Sequence, residues 1–88
     1  MKLKDGFYLE SKDGQNIVKS SDSLSRMENF ITLNRSAAFL FKCLEDGCKT
    51  KEELFNSLIN EMQISTVLAL NDIDIFVRTM KENGIIEE

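Results

Sequence analysis

The sequence predicts an α+β fold in which a three-stranded antiparallel sheet is followed by three helices. Two observations carry this. Short β-branched and aromatic runs are confined to the first third of the chain, whereas the remainder places apolar residues at helical spacing between clear cap signals. Such a meander cannot bury its apolar face alone, so the helices must pack on it.

The first strand is read over Phe7–Ser11, where Phe-Tyr-Leu-Glu-Ser is rich in strand formers. Lys12-Asp13-Gly14-Gln15 supplies a turn with a glycine available for positive φ, and Asn16–Lys19 is the returning strand. Ser20–Arg26 is polar and reads as a loop ending at Met27. Phe30-Ile31-Thr32-Leu33 forms the third strand, with Ile31 and Leu33 on one face and Phe30 and Thr32 on the other.

Asn34 is placed to cap the first helix, in which Ala37, Leu40, Phe41 and Leu44 fall at i, i+3, i+4 and i+7 and form one buried stripe. Asp46-Gly47 stops it. Thr50-Lys51-Glu52-Glu53 has the capping-box form and opens a second helix with Leu54, Phe55, Leu58, Ile59 and Met62 on its apolar face. Gln63-Ile64-Ser65 makes a short break, with Ser65 capping a third helix that runs to about Asn83. In it Ala69, Ile73, Phe76, Val77 and Met80 share a face, and Asn83-Gly84 stops the helix and returns Ile85 and Ile86 to the core. With no repeat, linker or low-complexity tract, residues 1–88 are expected to form one domain, with the sheet in 1–34 and the helices in 35–88.

The 88 residues are 42% hydrophobic, which suffices for one core and leaves little chain for anything else. There is no proline, no long irregular segment that could form a lid, and no histidine. Phosphate loops, nucleophile elbows and cysteine clusters are likewise missing, so no enzyme and no cofactor are expected. Cys43 and Cys48 stand five apart, neither a zinc knuckle nor a redox pair, and are expected to be reduced thiols with no metal. No apolar run is long enough for a signal peptide or a membrane span, which points to a cytoplasmic protein.

Two features point to binding. Phe39, Leu68 and Ile75 lie off the core stripes, and Leu68 and Ile75, seven residues apart, face away from Ile73 and Met80. They can be scattered surface residues, be covered by a neighbouring element, or face a partner. The third strand, if it lies at a sheet edge, can also template an extended peptide. Five main-chain hydrogen bonds at about 1 kcal/mol each and two apolar anchors at about 2 kcal/mol each outweigh an ordering cost of a few kcal/mol.

Three helices beside a small sheet also suggest a winged helix-turn-helix, and with it a transcriptional regulator or another protein-interaction module. Against DNA, the net charge is −4, and the third helix carries Asp72, Asp74 and Glu82 against Arg78 and Lys81. No nucleic-acid partner is expected.

The ordered set Ile31-Thr32-Leu33-Asn34-Arg35-Ser36-Ala37-Ala38-Phe39-Leu40-Phe41, Leu44-Glu45-Asp46-Gly47, Thr50, Glu53-Leu54, Leu58, Asp72-Ile73, Phe76-Val77 and Asn83-Gly84-Ile85-Ile86 resembles the PqqD-like family. The likeness is clearest over residues 31–86. Ala37 or Ala38 stands where the family commonly has glycine, and Phe41 where it commonly has tryptophan; both keep a small-then-aromatic helix.

The resemblance implies a winged-helix-like recognition element for ribosomally synthesised and modified peptides (RiPPs). Such a peptide chaperone binds the leader segment of a precursor peptide and presents it to a modifying enzyme: a radical S-adenosylmethionine enzyme, a cyclase or a leader protease. In the family the leader pairs as an extra strand beside the third strand, in a groove shared with the third helix. Carried onto this chain, that expectation selects Glu28, Asn29, Phe30, Ile31 and Thr32 on one wall and Leu68, Asp72, Ile75, Phe76 and Thr79 on the other. An edge that accepts a peptide also accepts its own copy, so a homodimer is the competing assembly.

Overall fold

A computed structural model describes residues 1–20 and 31–87. In chain order the elements are β1 (Lys2–Leu3), β2 (Phe7–Lys12), β3 (Gln15–Ser20), β4 (Ile31–Leu33), α1 (Arg35–Glu45), α2 (Lys51–Met62), α3 (Thr66–Glu82) and β5 (Ile86–Glu87). The α+β order of a three-stranded antiparallel sheet followed by three helices is as expected. The expected loop over 21–26, its end at Met27 and the strand residue Phe30 lie outside the described residues.

The β2–β3 hairpin pairs Phe7 with Ser20 through Lys12 with Gln15, leaving Asp13 and Gly14 as a two-residue turn. Both have positive φ, 53° and 78°, as the type I′ turn matched to strand twist requires. Pairing carries β3 to Ser20, one residue beyond the sequence expectation. β4 joins the other side of β3 in the register Asn16–Leu33, Ile17–Thr32 and Val18–Ile31. Leu33 is buried, Ile31 half-buried and Thr32 exposed, the alternation that a half-covered strand imposes.

All three helix starts use the side chains read as caps. Asn34 accepts from the Ala37 N–H at 2.9 Å, Thr50 from Glu53 at 3.1 Å and Ser65 from Leu68 at 3.2 Å. The capping box at α2 is shifted: the Glu53 carboxylate accepts from the Lys49 N–H at 3.2 Å, one residue before the cap.

The ends of α1 and α3 are Schellman motifs. Gly47 and Gly84 take the left-handed conformation, which spares a side chain the clash with the following carbonyl. In α3 the Ile85 N–H reaches the Met80 carbonyl at 2.9 Å and the Gly84 N–H reaches Lys81 at 3.1 Å. This reversal drives Ile85 back under the helix, where it and Ile86 are buried. In α1 the same geometry brings the Cys48 N–H to the Cys43 carbonyl at 3.0 Å.

A second, two-stranded sheet was not anticipated. β1 and β5 pair antiparallel, Lys2 with Glu87 and Leu3 with Ile86, reinforced by the Lys4 N–H on the Ile85 carbonyl at 2.8 Å. A Lys2–Glu87 ion pair at 3.3 Å lies on its exposed side.

One core joins the elements. Phe41, Leu40, Leu54, Leu58, Ile73, Met80, Ile85 and Val18 are its largest fully buried side chains, each contributing roughly 1.5–3 kcal/mol of hydrophobic free energy. Phe55, Ile59 and Met62 of the expected α2 face pack at its margin. The α1 stripe is wider than its spacing suggested, because Ala38 and Cys43 are also buried while Ala37 is half-buried. Phe39, read as off-stripe, is half-buried against the core as well.

Candidate functional site

The strand order β2-β3-β4 leaves β4 paired on one side, with no strand on its other edge among the described residues. On an edge strand, alternate residues turn their N–H and C=O outward and can accept a further strand. α3 flanks this edge, and between them lies a groove of about 170 Å³.

Its strand wall is Ile31, Thr32 and Leu33; the strand-to-helix junction adds Asn34, Ser36 and Ala37. The helix wall is Asp72, Ile75, Phe76, Thr79 and Met80. Spacings of three and four bring these α3 residues to one side of the helix. Phe76 and Met80 form the buried floor, whereas Ile75 retains 49% of its surface and Asp72 and Thr79 are half-buried on the rim.

The structure thus brings together six residues selected from sequence: Ile31, Thr32, Asp72, Ile75, Phe76 and Thr79. Leu68 falls on the same side of α3, at i, i+4, i+7 and i+11 with Asp72, Ile75 and Thr79. Four residues of helical rise, about 6 Å, separate it from Asp72, so it stands beyond the groove's end, 56% exposed and not part of the lining. Glu28, Asn29 and Phe30 lie outside the described residues. Sequence reasoning missed Leu33, Asn34, Ser36, Ala37 and Met80, having placed them in the core or at the cap or left them unremarked. No local signal marks them as lining, because where the start of α1 stands relative to the strand edge is set by packing.

The groove is mostly apolar and its polar groups are unequally occupied. Asn34 Oδ1 accepts from the Ala37 N–H at 2.9 Å and from the Ser36 hydroxyl at 3.1 Å. Asp72 is the only charged residue of the lining and pairs with no cation among the described residues. Asp74, two residues on, instead meets Lys51 Nζ at 3.4 Å outside the groove.

A second depression, about 240 Å³, lies between α1 and the end of α2, where Arg35, Phe39 and Lys42 face Asn16, Glu61 and Met62. Cys43 and Cys48 are both free thiols. Burial, and then the neighbouring Cys48, push the Cys43 thiol up to about 11, so it is a packed hydrophobe rather than a nucleophile. Among the described residues no group of three or more His, Cys, Asp or Glu could hold a metal ion. None of the described helices is long and apolar enough to cross a membrane.

A three-stranded sheet with β4 at its edge among the described residues and a flanking third helix defines a small winged-helix-like α+β module with a strand-and-helix groove. The family model described as coenzyme PQQ synthesis protein D (PqqD) matches residues 11–86, and the chain belongs to this family. Solved structures share the fold. One, described as TbiB1 in complex with the TbiA(beta) leader peptide, is 18% identical with a TM-score of 0.75, covering 99% of this chain and 95% of its own. Another, a lasso peptide synthetase B1 complexed with the leader peptide, is 23% identical with a TM-score of 0.73, covering 99% and 96%. No curated protein matches the chain.

Proposed function

We propose that this protein binds the leader segment of a ribosomally made precursor peptide, taking it as an added strand on the free edge of β4, and presents the peptide to a modifying enzyme without chemistry of its own. The observation that carries the reading is the groove: a strand edge with no pairing strand among the described residues on one side, Ile75 and Phe76 on the other, and a mostly apolar lining between. Family membership and two solved relatives of the same fold, each described in complex with a leader peptide, support it.

β4 is three residues long among the described residues. Each outward-facing residue of an antiparallel edge makes two main-chain bonds, so Ile31–Leu33 provide two or four. A fifth requires the chain before Ile31. At about 1 kcal/mol each, the bonds of Ile31–Leu33 supply about 2 or 4 kcal/mol, no more than two apolar anchors at about 2 kcal/mol each.

The test is a titration of the isotope-labelled full chain with a synthetic leader from the short reading frame beside its gene. Amide shifts concentrated at 31–33 and 72–79 are expected, and N-methylation of alternate leader amides should weaken binding at every second position. Saturating peptide that leaves these amides unmoved refutes the reading. A transcription-factor role gains no support, because the chain carries a net charge of −4 and α3 sets Asp72, Asp74 and Glu82 against Arg78 and Lys81, which is no basic face.

A further inference from the structure

Among the described residues the groove carries a single charge, Asp72, and no cation answers it. At its α1 end Asn34 Oδ1 already accepts from both the Ala37 N–H and the Ser36 hydroxyl, and, Asp72 apart, the remaining side-chain polar groups of the lining are uncharged. Ile31, Ile75 and Phe76 offer no polar atom beyond the backbone. Asp72 stands half-buried between them with no hydrogen bond or ion pair among the described residues, whereas Asp74 is matched by Lys51. A peptide that covers a lone carboxylate without pairing it strips its water and returns nothing, while one that delivers a cation gains a charge-assisted hydrogen bond in a partly dry site.

Resting on the leader-binding reading, we infer that Asp72 is a specificity-determining residue that selects a leader carrying Arg or Lys two positions from a large apolar anchor, and rejects an acid at that place. The spacing follows from geometry. Same-face residues of an extended peptide repeat every 6.6–6.8 Å, roughly, and Asp72 and Ile75 are separated by about 4.5 Å of helical rise, a difference that a long basic side chain spans. Arginine is the better match, because its planar fork meets a carboxylate with two parallel bonds.

The experiment is selection of a phage-displayed random dodecapeptide library on the full chain, on Asp72→Asn and Asp72→Ala, and on Asp74→Asn as a control for net charge. Peptides selected by the wild type should carry a basic residue two positions from Ile, Leu, Phe or Tyr. That enrichment should vanish with either Asp72 variant and persist with Asp74→Asn. For one selected peptide made synthetically, replacing its basic residue by Gln should weaken binding to the wild type about fivefold and to Asp72→Asn less than about twofold. Peptides that shift the amides of 31–33 and 72–79 yet show no basic enrichment overturn this inference and leave the leader reading standing. Enrichment that survives loss of Asp72 also overturns it. Peptides that bind elsewhere, or no selected binders at all, refute the leader reading and this inference with it.

Discussion

Replacing Ile75 by Gln separates a partner-facing side chain from a core one. Ile75 keeps 49% of its surface in the free protein, so about half of the roughly 1.5–3 kcal/mol that a fully buried isoleucine provides is still available for binding. Loss of about 1 kcal/mol of apolar contact, with a similar penalty for desolvating the new amide, predicts affinity for the leader weakened about tenfold to thirtyfold. The fold loses less. The glutamine stem covers part of the same surface and glutamine is a good helix former. A stability loss of at most about 1 kcal/mol corresponds to a fall of about 4–8 °C in Tm. Calorimetric titration gives the first quantity and a circular-dichroism melt the second. Affinity unchanged within twofold, with the fold intact, would refute the placement of Ile75 in the groove; a Tm fall beyond about 15 °C would show that it belongs to the core.

Ile73→Ala is the matched contrast: Ile73 is 2% exposed, and the change should cost about 2–5 kcal/mol of stability by chemical denaturation. Gly84→Ala should destabilise by about 1–2 kcal/mol, measured the same way, because its φ of 70° is strained for any side chain even though nothing crowds a Cβ there; an unchanged midpoint would contradict the Schellman geometry. Cys48 should react with iodoacetamide well before Cys43, as peptide mass mapping at pH 8 can show, because a thiol pushed up to about 11 supplies little thiolate there. The same shift has a stability consequence. Its folded pKa lies above the unfolded value, so the contribution is fully present below about 9 and is lost as pH rises toward about 11; the loss should disappear in Cys43→Ala.

Local chemistry was enough to read the helices and the hairpin. Asn34, Thr50 and Ser65 cap the three helices as their residue types indicate, since the partner N–H lies three residues on in each case. Asp13-Gly14 turns the hairpin for an equally local reason. Helical spacing also picked out Ile73, Phe76, Val77 and Met80 as core and Ile75 as outward, because a helical wheel states which direction a side chain takes. Direction is not neighbourhood. Leu68 shares its direction with Asp72, Ile75 and Thr79, yet only the first falls beyond the groove's end, since the position of β4 along α3 is set by packing. Asn34, Ser36 and Ala37 join the site for the same reason: the chain turns from β4 into α1 at the groove's mouth. The β1–β5 pair was illegible because two-residue strands carry no period, and their register exists only once the Schellman turn at Gly84 returns Ile86 beside Leu3. Residue type and spacing determined elements, caps and the apolar residue left over on α3. Tertiary packing decided what stands opposite that residue, because depth along a helix and the pairing of distant strands depend on contacts between residues far apart in the chain.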